Sequence, residues 1–411
     1  MTTAPTRAPR SLRTPGIDRV LMLAVLGLLV LGTLLVWSAT SHRDDLTGGD
    51  PTAYLRKQLV NVCIGLVLMV VVMATDHRWV RILAPFVYLA SIGGLVLVLT
   101  SGTTINGSRS WLQLGGLSVQ PSEFAKLAVV IGMALLVAER AEGRRRPVGL
   151  GEVLGMLVIA GIPASLIMLQ PDLGTMLVLS ATVFGVLAVA GAPRRWLALL
   201  AAGGVTAAVA AVSAGFLKEY QVDRFLAFTN PGLDPRGAGY NTEQARIAVG
   251  NGGLFGQGLF HGSQTQSGFV PEQHTDFVFT VAGEELGLLG AGVVIALLCV
   301  VIWRALTIAA TTPDVFGRVA AAGIACWLGF QTFQNVGMCL GIMPVTGVPL
   351  PFVSYGGSSL FAGMLAIGLL QNIASRSHER ARGSRAIAAR IGLIPLTRRK
   401  VSGGSPLRAG C

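Results

Sequence analysis

Asp276 is the acidic residue whose place in the chain best suits proton chemistry. It closes a glycine-rich stretch, GNGGLFGQGLFHGSQTQSGFVPEQHTDFVF, and Phe277, Val278 and Phe279 follow it at once. A carboxylate at the mouth of an apolar environment suits a general base. Glu272 and His274 stand beside it in sequence. Asp276 could also be a helix N-cap, and capping does not exclude catalysis. Glu284 and Glu285 follow in the same apolar run, about 12 Å deeper at 1.5 Å per residue.

Four other places carry polar groups that need an account. Glu123 and Lys126, three residues apart, share one helix face. They form either a stabilising interfacial pair or a site in which Glu123 holds Lys126 toward an anionic ligand. Arg109 and Trp111 set a cation beside an indole, which suits a phosphate or sugar; the alternative is a membrane-interface tryptophan with a snorkelling arginine. Asp172 in LQPDLGT falls near a helix N-terminus, where it could cap the helix and line a cavity at once. Ser354 lies in PVTGVPLPFVSYGG and is a further candidate for substrate contact. Asp223 and Arg224 could pair within the long loop. That loop has no GK[ST] and is not a Walker loop. His261 and His274 lack a metal-ligand spacing.

These residues need elements to hold them, and the composition says which. Of 411 residues 52% are hydrophobic and 13% charged, with 53 glycines and a mean hydropathy of +0.64. A soluble domain carries about 25% charge, so the chain is not an ordinary soluble enzyme. Apolar runs near 20 residues predict an all-α polytopic membrane protein. The runs are too long for the strands of a transmembrane barrel. Ten spans are expected, near 18–40, 57–75, 79–99, 123–139, 151–169, 173–191, 195–215, 277–303, 318–341 and 358–375. The expected organisation is a tail over 1–16, a ten-helix domain over 17–375 with a large outer loop at 216–276, and a basic tail over 376–411. The five cysteines, Cys63, Cys299, Cys326, Cys339 and Cys411, form no CxxC pair and read as small core residues.

The net charge of +12 would suggest nucleic acid in a soluble protein. Here it sorts by topology. With both termini cytoplasmic, 23 of the 32 Lys and Arg fall on the inner side, as the positive-inside rule requires. Three outer segments then stand out, at about 100–122, 216–276 and 342–357. They give the protein a specialised outer face. Small residues in GLLGAG (287–292) and AAAGIAC (320–326) could admit a partner helix.

Taken together, GSRSWLQLGGLSVQPSEFAK, LQPDLGT, NPGLDPRGAGYN, QTQSGFVPEQHTDFVFTVAGEELG and PLPFVSYGGSS resemble the SEDS family (shape, elongation, division and sporulation proteins) over roughly residues 15–378. The QTQSGFVPEQHTDF stretch is more similar to the rod-shape branch than to the division branch. The resemblance implies a peptidoglycan glycosyltransferase of the bacterial cytoplasmic membrane. It would polymerise lipid II outside that membrane, beside a class B penicillin-binding protein. The family's essential aspartate falls on Asp276, its Glu-x-x-Lys pair on Glu123 and Lys126, and its loop tryptophan on Trp111. The basic residue before the second span falls on Arg56 or Lys57.

On that reading Asp276 takes the proton of the acceptor's 4-hydroxyl as it attacks the donor's anomeric carbon with inversion. Lys126, Arg109 and Arg56 or Lys57 are the candidate partners of the leaving pyrophosphate. A divalent cation could serve there, although no motif shows one. The alternatives are a lipid-linked precursor flippase and a structural scaffold. A flippase needs a polar path through the bilayer, whereas the unusual polar residues here gather at the outer face.

Overall fold

A computed structural model describes residues 16–105, 108–114, 117–141, 148–214 and 237–390. Residues 1–15, the basic segment 142–147, the part of the long loop with Asp223 and Arg224, and the end of the basic tail from residue 391 lie outside the described residues, while the tail's first part continues the last helix. The apolar runs are helices. They are α1 (Arg19–Ser41), α3 (Ala53–Ala74), α4 (His77–Ser101), α5 (Pro121–Ala141), α6 (Leu150–Leu169), α7 (Leu173–Ala190), α8 (Arg194–Ser213), α12 (Gly287–Thr311), α13 (Val315–Cys339) and α14 (Gly357–Arg390). Shorter helices join them: α2 (Asp44–Thr47), α9 (Ala238–Asn251), α10 (Ser263–Ser267) and α11 (Val278–Glu285).

The chain is a multi-pass membrane protein. Eight of its described helices are long and apolar enough to cross a bilayer: α1, α3, α4, α5, α6, α7, α12 and α14. Helices α8 and α13 have 20 and 25 residues, about 30 and 38 Å at 1.5 Å per residue. Helix α13 is largely enclosed, packing on α5, α7 and α12. A helix shielded from lipid on most sides can carry amides, and α13 buries Gln331, Gln334 and Asn335.

The run read as one span at 277–303 is two helices. Gly287, at φ +67°, ends α11 and starts α12. A side chain there would collide with the backbone of Leu254 and Gly256. Every residue of α11 is buried, so the lipid-facing helix begins only at Gly287. The glycine-rich segment 252–258 packs backbone to backbone on this junction. Gln257 and Gly258 N–H groups donate to the carbonyls of Glu284 and Glu285 (3.0 and 2.9 Å), and Leu288 N–H donates to Gly253 (2.9 Å). These glycines therefore serve close chain packing in this structure.

One segment departs from the all-α pattern. Residues 103–119 form a three-stranded antiparallel sheet, β1 (Thr103–Ile105), β2 (Ser108–Leu114) and β3 (Leu117–Val119), in the order β1-β2-β3. It lies between α4 and α5 and marks one end of the bundle. At the other end Asp18 ties three helices together. It N-caps α1, accepts from Arg304 Nε of α12 (2.9 Å), and exchanges backbone bonds with the Gln371 amide of α14 (2.9 Å each).

Two expectations about small residues change. AAAGIAC is buried in α13, with Gly323 against Val130 and Val186, so it packs internally. Cys63 and Cys299 are exposed on α3 and α12 instead of sitting in the core, and among the described cysteines only Cys339 is fully buried.

Candidate functional site

The turn before α11 positions Asp276. Glu272 adopts φ +49°, unusual for a residue with a side chain. Its carbonyl thereby gathers the N–H groups of Thr275, Asp276 and Phe277 at 3.2, 3.0 and 3.3 Å. Its carboxylate accepts from the Thr275 hydroxyl at 3.1 Å. The N-cap position of α11 is Phe277, so Asp276 stands one residue before the cap.

A second turn faces it. Residues 344–356 are held from α13: Gln334 Nε2 donates to the Pro344 carbonyl and the Thr346 hydroxyl (3.1 Å each), and Gln331 Nε2 to the Pro349 carbonyl (2.9 Å). Tyr355 N–H donates to the His274 carbonyl at 2.9 Å, which joins the two turns. The third wall comes from the sheet, whose β2 brings Ser108, Ser110 and Trp111, and from the start of α7.

These walls bound a partly open cleft of about 180 Å³ at the sheet end. Asp276, Glu272 and Asp172 supply its carboxylates, Trp111 and Tyr355 its aromatic faces, and Gln120, Thr275, Thr346, Ser358 and Ser359 further polar groups. Asp172 both caps and lines. Its Oδ1 accepts from Thr175 N–H at 2.9 Å, while Oδ2 accepts from the Thr175 hydroxyl at 2.8 Å and the Gln120 amide at 3.2 Å. Carboxylates beside aromatic faces are suited to hold a sugar and to accept a hydroxyl proton.

The candidate cations are elsewhere. Lys126 is fully buried, with its ammonium 2.8 Å from Glu123 Oε1 and 2.8 Å from Gln331 Oε1, and 5.3 Å from the centre of the Trp327 ring. The pair is interior, not interfacial, and does not line the cleft. Arg109 donates to the carbonyls of Gly102 (2.8 Å) and Thr100 (2.9 Å) at the end of α4. Arg56 pairs with Asp50 and Thr52. Lys57 sits 5.1 Å from the Tyr54 ring. No Lys or Arg lines the cleft among the described residues. Each of these cations already meets an acidic, carbonyl or aromatic group, which a single sequence does not show.

His274 and Ser354 stand behind the lining. His274 packs edge-on against Tyr54 (5.1 Å) and beside Tyr355 (5.7 Å). Burial pushes its pKa down; the Glu272 carboxylate opposes that, and Arg43 adds to it. Its imidazole is neutral at neutral pH. Ser354 Oγ accepts from Leu350 N–H at 2.8 Å within its own turn. Glu284 is spent on structure as well, accepting from Gln264 N–H (2.7 Å), Thr265 N–H (2.9 Å) and the Thr265 hydroxyl (2.7 Å). Sequence reasoning passed over Gln331, Gln334, Asn335 and Tyr355. Three amides on one face of an expected span were a readable signal, because polar groups there are costly without partners.

Residues 19–379 match the FtsW/RodA/SpoVE family model, described as cell cycle protein. The chain is 39% identical over 358 residues to the peptidoglycan glycosyltransferase MrdB of Escherichia coli, covering 87% of this chain and 93% of that one. It is 38% identical over 379 residues to the probable peptidoglycan glycosyltransferase FtsW of Allochromatium vinosum, covering 89% and 92%. A solved chain from a peptidoglycan synthase complex that coordinates polymerization and crosslinking superposes with a TM-score of 0.73 at 32% identity, covering 89% and 99%.

Proposed function

The chain belongs to the FtsW/RodA/SpoVE family of cell cycle proteins, and from that membership we propose that this peptidoglycan glycosyltransferase polymerises lipid II with Asp276 as its general base. One observation carries the assignment of the base: Asp276 lines an open cleft together with Trp111 and Tyr355, on a turn whose backbone is fixed on both sides.

The acceptor's 4-hydroxyl attacks the donor's anomeric carbon from the face opposite the pyrophosphate. As the new C–O bond forms, the hydroxyl proton passes to the Asp276 carboxylate. The bond to the polyprenyl pyrophosphate breaks with its electron pair on the leaving group, and the configuration inverts. Asp276 then returns its proton to water. Trp111 and Tyr355 offer faces for the sugar rings. The apolar chains of both substrates run between helices, which accounts for a transferase built into a membrane.

The sheet end faces the outside of the bacterial cytoplasmic membrane in this reading, with ten spans and both termini cytoplasmic. The supporting observation is the distribution of Lys and Arg. The role is in elongation and rod shape; the QTQSGFVPEQHTDF stretch supports that branch, although the chain is as similar to an FtsW as to an MrdB. The partner is a class B penicillin-binding protein, an inference supported by the likeness to a chain from a synthase complex.

Purified protein incubated with lipid II tests the proposal. Wild type is expected to give glycan strands. Asp276→Asn keeps the size and removes the basicity, so it should fold and lose on the order of 10²-fold in rate or more. Movement of lipid II across vesicles without product would favour a flippase. Wild-type polymerisation by a well-folded Asp276→Asn would remove Asp276 from the chemistry.

A further inference from the structure

Asn335 is fully buried on α13, one helical turn beyond Gln331 and next to Gln334. Its Nδ2 lies 2.7 Å from the Asp276 carbonyl and 2.7 Å from the Val348 carbonyl. Both neighbours are acceptors only, so the amide nitrogen must face them, and both of its N–H bonds are used. The two carbonyls belong to separate turns, one on each side of the cleft. Thr346, Gly347 and Pro349 line the cleft around Val348, as Asp276 does from the other turn.

This arrangement needs an amide at that position. Ser or Thr would bring one donor for two carbonyls. Asp would bring none and would set a buried negative charge against two carbonyl oxygens. Apolar residues would leave both carbonyls unpaired.

We infer that Asn335 is a positioning residue, which sets the backbone of Asp276 against the 346–349 turn and so fixes the base relative to the opposite wall of the cleft. The inference rests on Asp276 being the base. A shift of either turn changes the approach of the carboxylate to the acceptor hydroxyl, and a misplacement near 1 Å can cost on the order of 10²-fold in rate. Asn335 touches no substrate, so its loss should appear in kcat and leave KM for lipid II nearly unchanged.

Asn372 provides a matched control. It is also a buried asparagine, on α14, and its Nδ2 donates to the carbonyls of Val72 (3.1 Å) and Thr75 (2.6 Å) at the end of the bundle far from the cleft. Full-length Asn335→Ala, Asn372→Ala and Asp276→Asn are to be compared in polymerisation of lipid II, with the thermal midpoint of each. Asn335→Ala should lose about 10- to 100-fold in kcat with KM within about threefold of wild type. Asn372→Ala should lose a comparable amount of thermal stability and keep its kcat. If Asn335→Ala does not fold, Asn335→Ser, which is too short to reach both carbonyls, is read in the same way. Equal kcat for the two alanine variants at equal stability loss would overturn the positioning role. So would wild-type kcat in a folded Asn335→Ser. Loss of activity in Asp276→Asn alongside either result would show that only this inference has failed. An active Asp276→Asn would instead remove the reading on which it rests.

Discussion

Gly347 and Asp276 are in close approach across the cleft: a Cβ on Gly347 would stand 3.3 Å from Asp276 Oδ2. Gly347 also has φ +71°, the left-handed region. Two requirements therefore meet at one position. The turn needs a residue that tolerates positive φ, and the carboxylate needs a wall without a side chain. The backbone of the 344–349 turn is what the carboxylate faces there.

Gly347→Ala should therefore reduce turnover beyond its cost in stability. The strain of a left-handed alanine is on the order of 1 kcal/mol, and the added methyl displaces the carboxylate by a few tenths of an ångström. Gly191→Ala carries the same kind of strain at φ +89° but meets nothing within 4 Å. The two variants should lose similar thermal stability, with lipid II turnover falling about tenfold only in Gly347→Ala. Equal turnover in both would show that the contact with Asp276 has no part in the rate.

The proposed topology has a direct test in its middle helices. Between residue 146 and the 240–260 region the chain passes through α6, α7 and α8. If all three cross, reporters at the two places lie on opposite sides. Helix α8 is 20 residues long, enough to span about 30 Å. Fusions after Arg146 and within 240–260 should report the inside and the outside respectively. The same side for both would mean that the count of ten spans is wrong.

Much of this molecule is legible in its sequence, because the bilayer makes length and apolarity decisive. The runs that became α1, α3–α7 and α12 could be bounded to within a few residues except at Gly287. That break is written in backbone-to-backbone packing of glycines more than thirty residues apart, which no local pattern reveals. The site was legible in part. Asp276, Trp111, Glu272 and Asp172 stand in three motifs and line one cleft. The cations could not be placed, because a side chain's partner is a tertiary fact: Arg109 looks like an anion ligand until it is seen to donate to two carbonyls at the end of α4. The sheet at 103–119 was hidden by its very short strands.

His274 should make the site sensitive to acid. It faces Tyr54 and Tyr355, with Glu272 and Arg43 as the charged neighbours. Its pKa in the fold lies below the ordinary 6.5, burial being the main cause. The unfolded chain therefore binds more protons in the window from 6.5 down to the folded value, and stability falls with pH there. Above about pH 6.5 both states are neutral and the effect vanishes. His274→Phe keeps a ring against the two tyrosines and removes the titration. The thermal midpoint of wild type should fall relative to His274→Phe as pH drops from about 6.5 to 5. A constant difference across that range would show that His274 does not titrate in it.

The buried pair of Lys126 and Glu123 decides between a structural pillar and a pyrophosphate ligand. The ammonium is 2.8 Å from Glu123 and 2.8 Å from Gln331, whose amide nitrogen holds the Pro349 carbonyl at 2.9 Å. Lys126 thus supports the 344–349 turn from beneath. Lys126→Met leaves a buried carboxylate unpaired, and Glu123→Gln leaves a buried ammonium without its counter-charge. Breaking a buried pair on one side costs about 3–5 kcal/mol, so each single variant should show a large drop in thermal midpoint. The double variant Lys126→Met/Glu123→Gln removes both charges and should recover much of that loss, since replacing a whole buried pair is often close to neutral. If the pair acts as a pillar, lipid II polymerisation should recover with the fold, because the turn is again supported and the cleft is unchanged. If Lys126 instead reaches the leaving pyrophosphate during turnover, the double variant will be stable and inactive. Thermal midpoints and polymerisation rates of the three variants separate these outcomes, and a stable, inactive double variant would sink the pillar role.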